Sequence, residues 1–88
     1  MKMMIVIVND RDAEAVVDQL VGKEFRVTQV ATTGGFLKRG NTTLLIGLEE
    51  ERVDAALEVI RQACSEPVQE GQRRATVFVL DVDRYAQL

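Results

Sequence analysis

An α+β sandwich of order βαββαβ, the ferredoxin-like arrangement, is the fold this sequence predicts, and three observations predict it. Four short runs rich in Val, Ile, Leu, Phe and Thr stand at 3–8, 25–31, 43–48 and 75–80. After the first and third runs, longer stretches carry apolar residues at helical spacing. No repeat, linker or low-complexity segment interrupts the 88 residues, so one domain over residues 1–88 is expected. In this order one sheet carries both helices on one face.

The elements follow from their residues. Met3-Met4-Ile5-Val6-Ile7-Val8 is apolar throughout, as in a central strand covered on both faces. Asn9-Asp10-Arg11-Asp12 supplies helix-start chemistry, with acidic residues in the first turn. Ala13, Val16, Val17, Leu20 and Val21 then recur at helical spacing, and Gly22 with Lys23 suits the helix end. In the second strand Phe25, Val27, Gln29 and Ala31 share one face, and Arg26, Thr28 and Val30 the other. Thr43 to Leu48 is the third strand, and Gly47 inside it predicts close approach of another group to the backbone.

Glu49-Glu50-Glu51 places negative charge at the start of a second helix, whose apolar stripe is Val53, Ala56, Leu57, Ile60 and Cys64. Ser65 to Arg73 is a polar connection holding the only proline, Pro67. Ala75 to Leu80 is the fourth strand, and Asp81 to Leu88 a brief extension. Strands one and four read as apolar on both sides, yet the helices cover only one face. The other face calls for cover from outside the chain, and a domain this small gains from oligomerisation.

Composition removes several functions. A net charge of -3 argues against duplex DNA or RNA as a partner. Without histidine the usual metal ligand and the usual general base are missing, and no nucleophile–base pair stands out, so neither an enzyme nor a metal site is expected. There is no Cys-x-x-Cys and no aromatic pair on the middle strands for stacking RNA. The lone Cys64 reads as a buried small hydrophobe. With no internal disulfide and no signal peptide, the expected location is cytoplasmic; the apolar run at 3–8 is too short to span a membrane.

One stretch points to binding. Thr32 to Thr43 holds three of the six glycines, four threonines, Phe36, and the adjacent cations Lys38 and Arg39. Glycines let backbone N–H groups approach a ligand, hydroxyls and cations donate to an anion, and Phe36 offers a stacking surface. Arg26 and Thr28 add a cation and a hydroxyl on one face of the strand that enters this loop. The plainer alternative is a hairpin connection in which the glycines serve turns, Phe36 plugs the core and Lys38 and Arg39 aid solubility.

These residues carry a resemblance. Lys2, the first strand, Asp10, Asp12 and Asp18-Gln19-Leu20-Val21 look like the opening of the PII-like cyclic di-AMP receptor proteins. Phe25-Arg26, Thr28, Ala31 to Leu37, Gly40-Asn41-Thr42-Thr43 and Gly47 match that family's most distinctive stretch. Arg52-Val53-Asp54, Ala75 to Val79 and Val82-Asp83 follow the same pattern. The resemblance implies a homotrimer of ferredoxin-like subunits that binds a nucleotide, cyclic di-AMP, between neighbours without catalysis and without a cofactor. By resemblance, Arg26, Thr28, Gly35, Phe36, Leu37, Asn41, Gly47 and Gln87 match ligand-contacting positions, and Gly34 would add a backbone donor.

The chain departs from the family in two places. The family usually has Asn where this chain has Glu24, and a carboxylate cannot donate to a ligand and repels phosphate. The family's long loop between the second helix and the last strand is here only Ser65 to Arg73. The alternative is therefore a trimeric interaction or scaffold protein that has lost the ligand. No residue pattern in the sequence names a protein partner or a signalling output.

Overall fold

A computed structural model describes residues 1–30, 40–65 and 73–88. The expectations placed on Gly34, Gly35, Phe36, Leu37, Lys38, Arg39 and Pro67 lie outside the described residues. The element order is β1 (Lys2–Asn9), α1 (Asp10–Gly22), β2 (Arg26–Val30), β3 (Asn41–Leu48), a 3-10 turn (Glu50–Arg52), α2 (Val53–Ala63) and β4 (Ala75–Asp81). The strands form one antiparallel sheet in the order β2-β3-β1-β4, the ferredoxin-like order.

Strand alternation divides the sheet into two unlike faces. Met4, Val6 and Val8 of β1 and Leu44, Ile46 and Leu48 of β3 are buried under the helices. They meet Ala13, Val16 and Leu20 of α1 and Ala56 and Ile60 of α2, and Phe25 and Cys64 complete this core. On the opposite, open face the register sets residues in rows. One row runs Thr28, Leu45, Ile5, Phe78, and the next runs Arg26, Gly47, Met3, Leu80. Phe78 and Leu80 are 53% and 46% exposed there, so the open face is apolar toward β4.

The helix ends depart from expectation. Gly22 is the last residue of α1, but the left-handed position beyond it falls on Glu24, at φ 68°. The Phe25 N–H bonds the Leu20 carbonyl at 3.0 Å and the Glu24 N–H bonds that of Val21 at 2.9 Å, the Schellman pattern. Asn9 precedes α1 without a side-chain cap bond, and α2 is entered through the 3-10 turn, so the Glu49–Glu51 run does not open α2 itself.

Asp12 stands in the first turn of α1, as expected, and is also buried there. Its Oδ1 accepts from the Ser65 Oγ at 2.6 Å and the Ser65 N–H at 3.2 Å, tying the exit of α2 to the first turn of α1. Val21, expected on the apolar stripe of α1, is exposed, and Leu57 lies at the margin of α2. Phe25 belongs to the core, so β2 begins at Arg26.

Candidate functional site

Because Phe25 and Val27 pack toward the helices, β2 presents Arg26 and Thr28 on the open face. Beside them β3 contributes Leu45 and Gly47, and β1 contributes Met3. Past β4 the chain turns back toward β1, where the Val82 N–H bonds the Met1 carbonyl at 3.1 Å. From there Val82, Tyr85 and Gln87 reach the same cavity as Arg26, and Met1 and Lys2 complete its wall. The cavity volume is about 370 Å³, within the range of small-molecule sites.

Its two cationic side chains differ. The Lys2 ammonium bonds the Asp81 carboxylate and lies 3.4 Å from Glu50 Oε2. The bond to Asp81, then that to Glu50, pushes Lys2 above the ordinary lysine range, and the Lys2 bond holds Asp81 below its own. Arg26 is exposed and has no ion pair among the described residues, which leaves its planar fork of donors for a ligand. Gly47 is bare backbone opposite Arg26, and a Cβ built there would meet the Met1 Cε at 3.1 Å. The group predicted to approach Gly47 closely is thus the mobile tip of a methionine.

Four predicted residues, Arg26, Thr28, Gly47 and Gln87, come together in this cavity. Asn41 does not join them. It pairs with Asn9 at the far end of β3, six residues and so about 20 Å from Gly47. Glu24 is not among the residues lining the cavity, although it lies two residues before Arg26. Sequence reasoning singled out Gln87 in the brief C-terminal extension but missed Tyr85, whose exposed ring faces the same space. The i, i+2 spacing of Tyr85 and Gln87 in an extended segment was the available signal.

This arrangement can hold an anion beside a flat surface. Arg26 can fork onto phosphate or carboxylate, Thr28 and Gln87 can donate and accept, and Tyr85 can stack. Among the described residues no three His, Cys, Asp or Glu side chains are grouped to hold a metal, and no helix is long and apolar enough to cross a membrane. Cys64 stands apart: burial, with the nearby Asp12 charge, raises its thiol above the ordinary range and disfavours the reactive thiolate.

Known proteins resemble this chain in sequence and in fold. A structure of a functionally unknown protein from Pediococcus pentosaceus ATCC 25745 is 42% identical, with a TM-score of 0.76. The alignment covers 99% of this chain and 96% of that one. Residues 1–70 match the family model described as the cyclic-di-AMP receptor. The chain therefore belongs to the cyclic-di-AMP receptor family.

Proposed function

We propose that this protein is a non-enzymatic, cytoplasmic, PII-like signalling receptor that binds an anionic nucleotide, cyclic di-AMP first among candidates, between the subunits of a homotrimer. The observation that carries this reading is the meeting of Arg26, Thr28, Gly47 and Gln87 at one 370 Å³ cavity on the open sheet face. Arg26 pairs with a phosphate, Thr28 and Gln87 hydrogen-bond the nucleotide, and Gly47 lets it lie against the β3 backbone. The split among the predicted residues supports a site shared by two copies. Asn41 lies too far along β3 to reach a ligand held by Arg26 of the same chain, so a neighbouring subunit supplies it. The apolar row ending in Phe78 and Leu80 gives that neighbour a surface to cover.

Calorimetry against cyclic di-AMP, cyclic di-GMP, ATP and ADP, with sedimentation on the same samples, tests the reading. Saturation by one nucleotide at about one per subunit, on a species of three chains, is expected. A trimer that binds none of the four supports the scaffold alternative, a monomer removes the shared site, and turnover points to catalysis.

A further inference from the structure

Tyr85 lines the Arg26 cavity and yet is 64% exposed. A tyrosine that serves only the fold buries its ring and finds a partner for its hydroxyl. Here, among the described residues, the hydroxyl has no hydrogen bond and the ring no aromatic or cation–π contact. Phe78, the other exposed aromatic side chain among the described residues, lies outside the cavity.

Long-range packing puts the ring there. The Val82 N–H bonds the Met1 carbonyl at 3.1 Å, which fixes where the tail leaves the sheet. Tyr85 and Gln87, two residues apart in a segment without regular structure, then both reach the cavity. The lining groups differ in what they have left to offer. Lys2 is already bound to Asp81 and Glu50. Arg26 has no ion pair among the described residues. The sheet thus offers a guanidinium fork, and the tail offers a flat ring facing the same space. An anion alone engages only the fork. A ligand that engages both joins an anionic group to a planar ring.

We infer that Tyr85 is the stacking platform of this site and sets its preference for a heteroaromatic anion over an anion without a ring. This rests on the nucleotide reading above and adds to it the residue that holds the base. With phosphate on Arg26, the base lies against the Tyr85 ring, and the Gln87 amide, which both donates and accepts, meets the base edge. Every base has a face to stack, so Tyr85 selects for a base and not among bases.

Because the chain holds one tyrosine, a tyrosine-ring label read by NMR reports Tyr85 alone. The full chain is titrated with cyclic di-AMP, cyclic di-GMP, ATP and ADP, and with ribose 5-phosphate as an anion without a base. Expected are upfield shifts of the Tyr85 ring protons with a nucleotide and none with ribose 5-phosphate. By calorimetry, Tyr85→Leu should weaken that nucleotide by roughly fivefold or more, the low end of a base–aromatic stack, while Tyr85→Phe stays within about twofold. Ribose 5-phosphate should bind all three proteins alike, which a misfolded variant would not do. If the unaltered chain binds none of the nucleotides, the nucleotide reading falls and the role of Tyr85 with it. If it binds one while the Tyr85 ring signals stay in place, or if Tyr85→Leu binds as well as Tyr85→Phe, only the assignment to Tyr85 falls. Loss of an oligomer in Tyr85→Leu but not in Tyr85→Phe, seen by sedimentation, makes the ring a subunit contact and overturns the assignment too.

Discussion

The guanidinium of Arg52 lies 3.9 Å from the centroid of the Phe25 ring and donates to the two carbonyls of the turn just beyond α1, those of Lys23 at 2.8 Å and Glu24 at 3.4 Å. One side chain thus closes the C-terminus of α1 and fixes the residue before Arg26, where a site strand begins. Arg52→Ala removes a cation–π contact and a charged hydrogen bond, for a loss of about 1–2 kcal/mol in urea unfolding. Arg52→Lys should recover only part of it, because an ammonium cannot stack flat on the ring while reaching two carbonyls. Full recovery by Lys would reduce the contact to plain charge.

Glu24 occupies the left-handed position of the Schellman turn, where a side chain other than Gly or Asn costs about 1–2 kcal/mol. Glu24→Gly and Glu24→Asn should both stabilise the chain, by about 1 kcal/mol or roughly 4–8 °C in melting temperature. An affinity change shared by both variants follows from this backbone effect. A gain confined to Glu24→Asn assigns a ligand contact to the amide, since only Asn restores a donor.

The buried Asp12–Ser65 tie joins two helices through one carboxylate whose second oxygen, Oδ2, is buried with no hydrogen-bond partner among the described residues and has the Arg11 Nε at 4.0 Å. Asp12→Ala leaves the Ser65 donors unmet and should cost about 1–3 kcal/mol. Asp12→Asn keeps an acceptor and should cost less. The neighbouring Cys64 supplies a pH test. Its thiol is raised in the folded state, so the native chain binds the proton more tightly than the unfolded chain does. Stability from this group is fully present below the unfolded thiol value, about 8.5, and falls as pH rises from there toward the folded value. Cys64→Ala should flatten the alkaline limb of a stability–pH curve, and an unchanged limb would assign the decline to other groups.

Arg26→Ala should weaken nucleotide binding by roughly tenfold or more, because a hydrogen bond to a charged group contributes about 1.5–3 kcal/mol. Stability should barely move, since the side chain is exposed and makes no ion pair among the described residues. Calorimetry beside thermal melts separates the two effects. Loss of binding together with stability would place Arg26 in the scaffold.

The helices were legible from their 3.6-residue apolar stripes and the strands as short apolar runs. The run at 3–8 is apolar at every position, however, and only the structure shows that the even-numbered residues of β1 and β3 form the core. Arg26 and Thr28 were legible, since alternation sends both away from Phe25 and Val27. Three things were not legible. The tail returning with Tyr85 depends on long-range packing with Met1, which leaves no periodic mark. Asp12 carries a helix-start signature that hides its bond to Ser65, fifty-three residues on. The exposure of Leu57 reflects where α2 sits over β4, and a helical stripe is silent on that.

Gly47 offers the sharpest test of how a nucleotide would lie. Among the described residues only Gly40 is a glycine at positive φ, so the backbone at Gly47 accepts alanine without strain. The one contact a Cβ would make is the end of the Met1 side chain, which can swing aside. Alanine in a strand is also favoured over glycine, by about 0.5–1 kcal/mol. Gly47→Ala should therefore leave the melting temperature unchanged or a few degrees higher. Yet the new methyl projects into the cavity beside Arg26, where a ligand resting on the β3 backbone needs that space. Binding should fall while stability holds, and Gly47→Val should lower it further. If calorimetry finds the same affinity in all three proteins, the ligand does not touch this stretch of β3, and the cavity wall that matters is the one built from the tail.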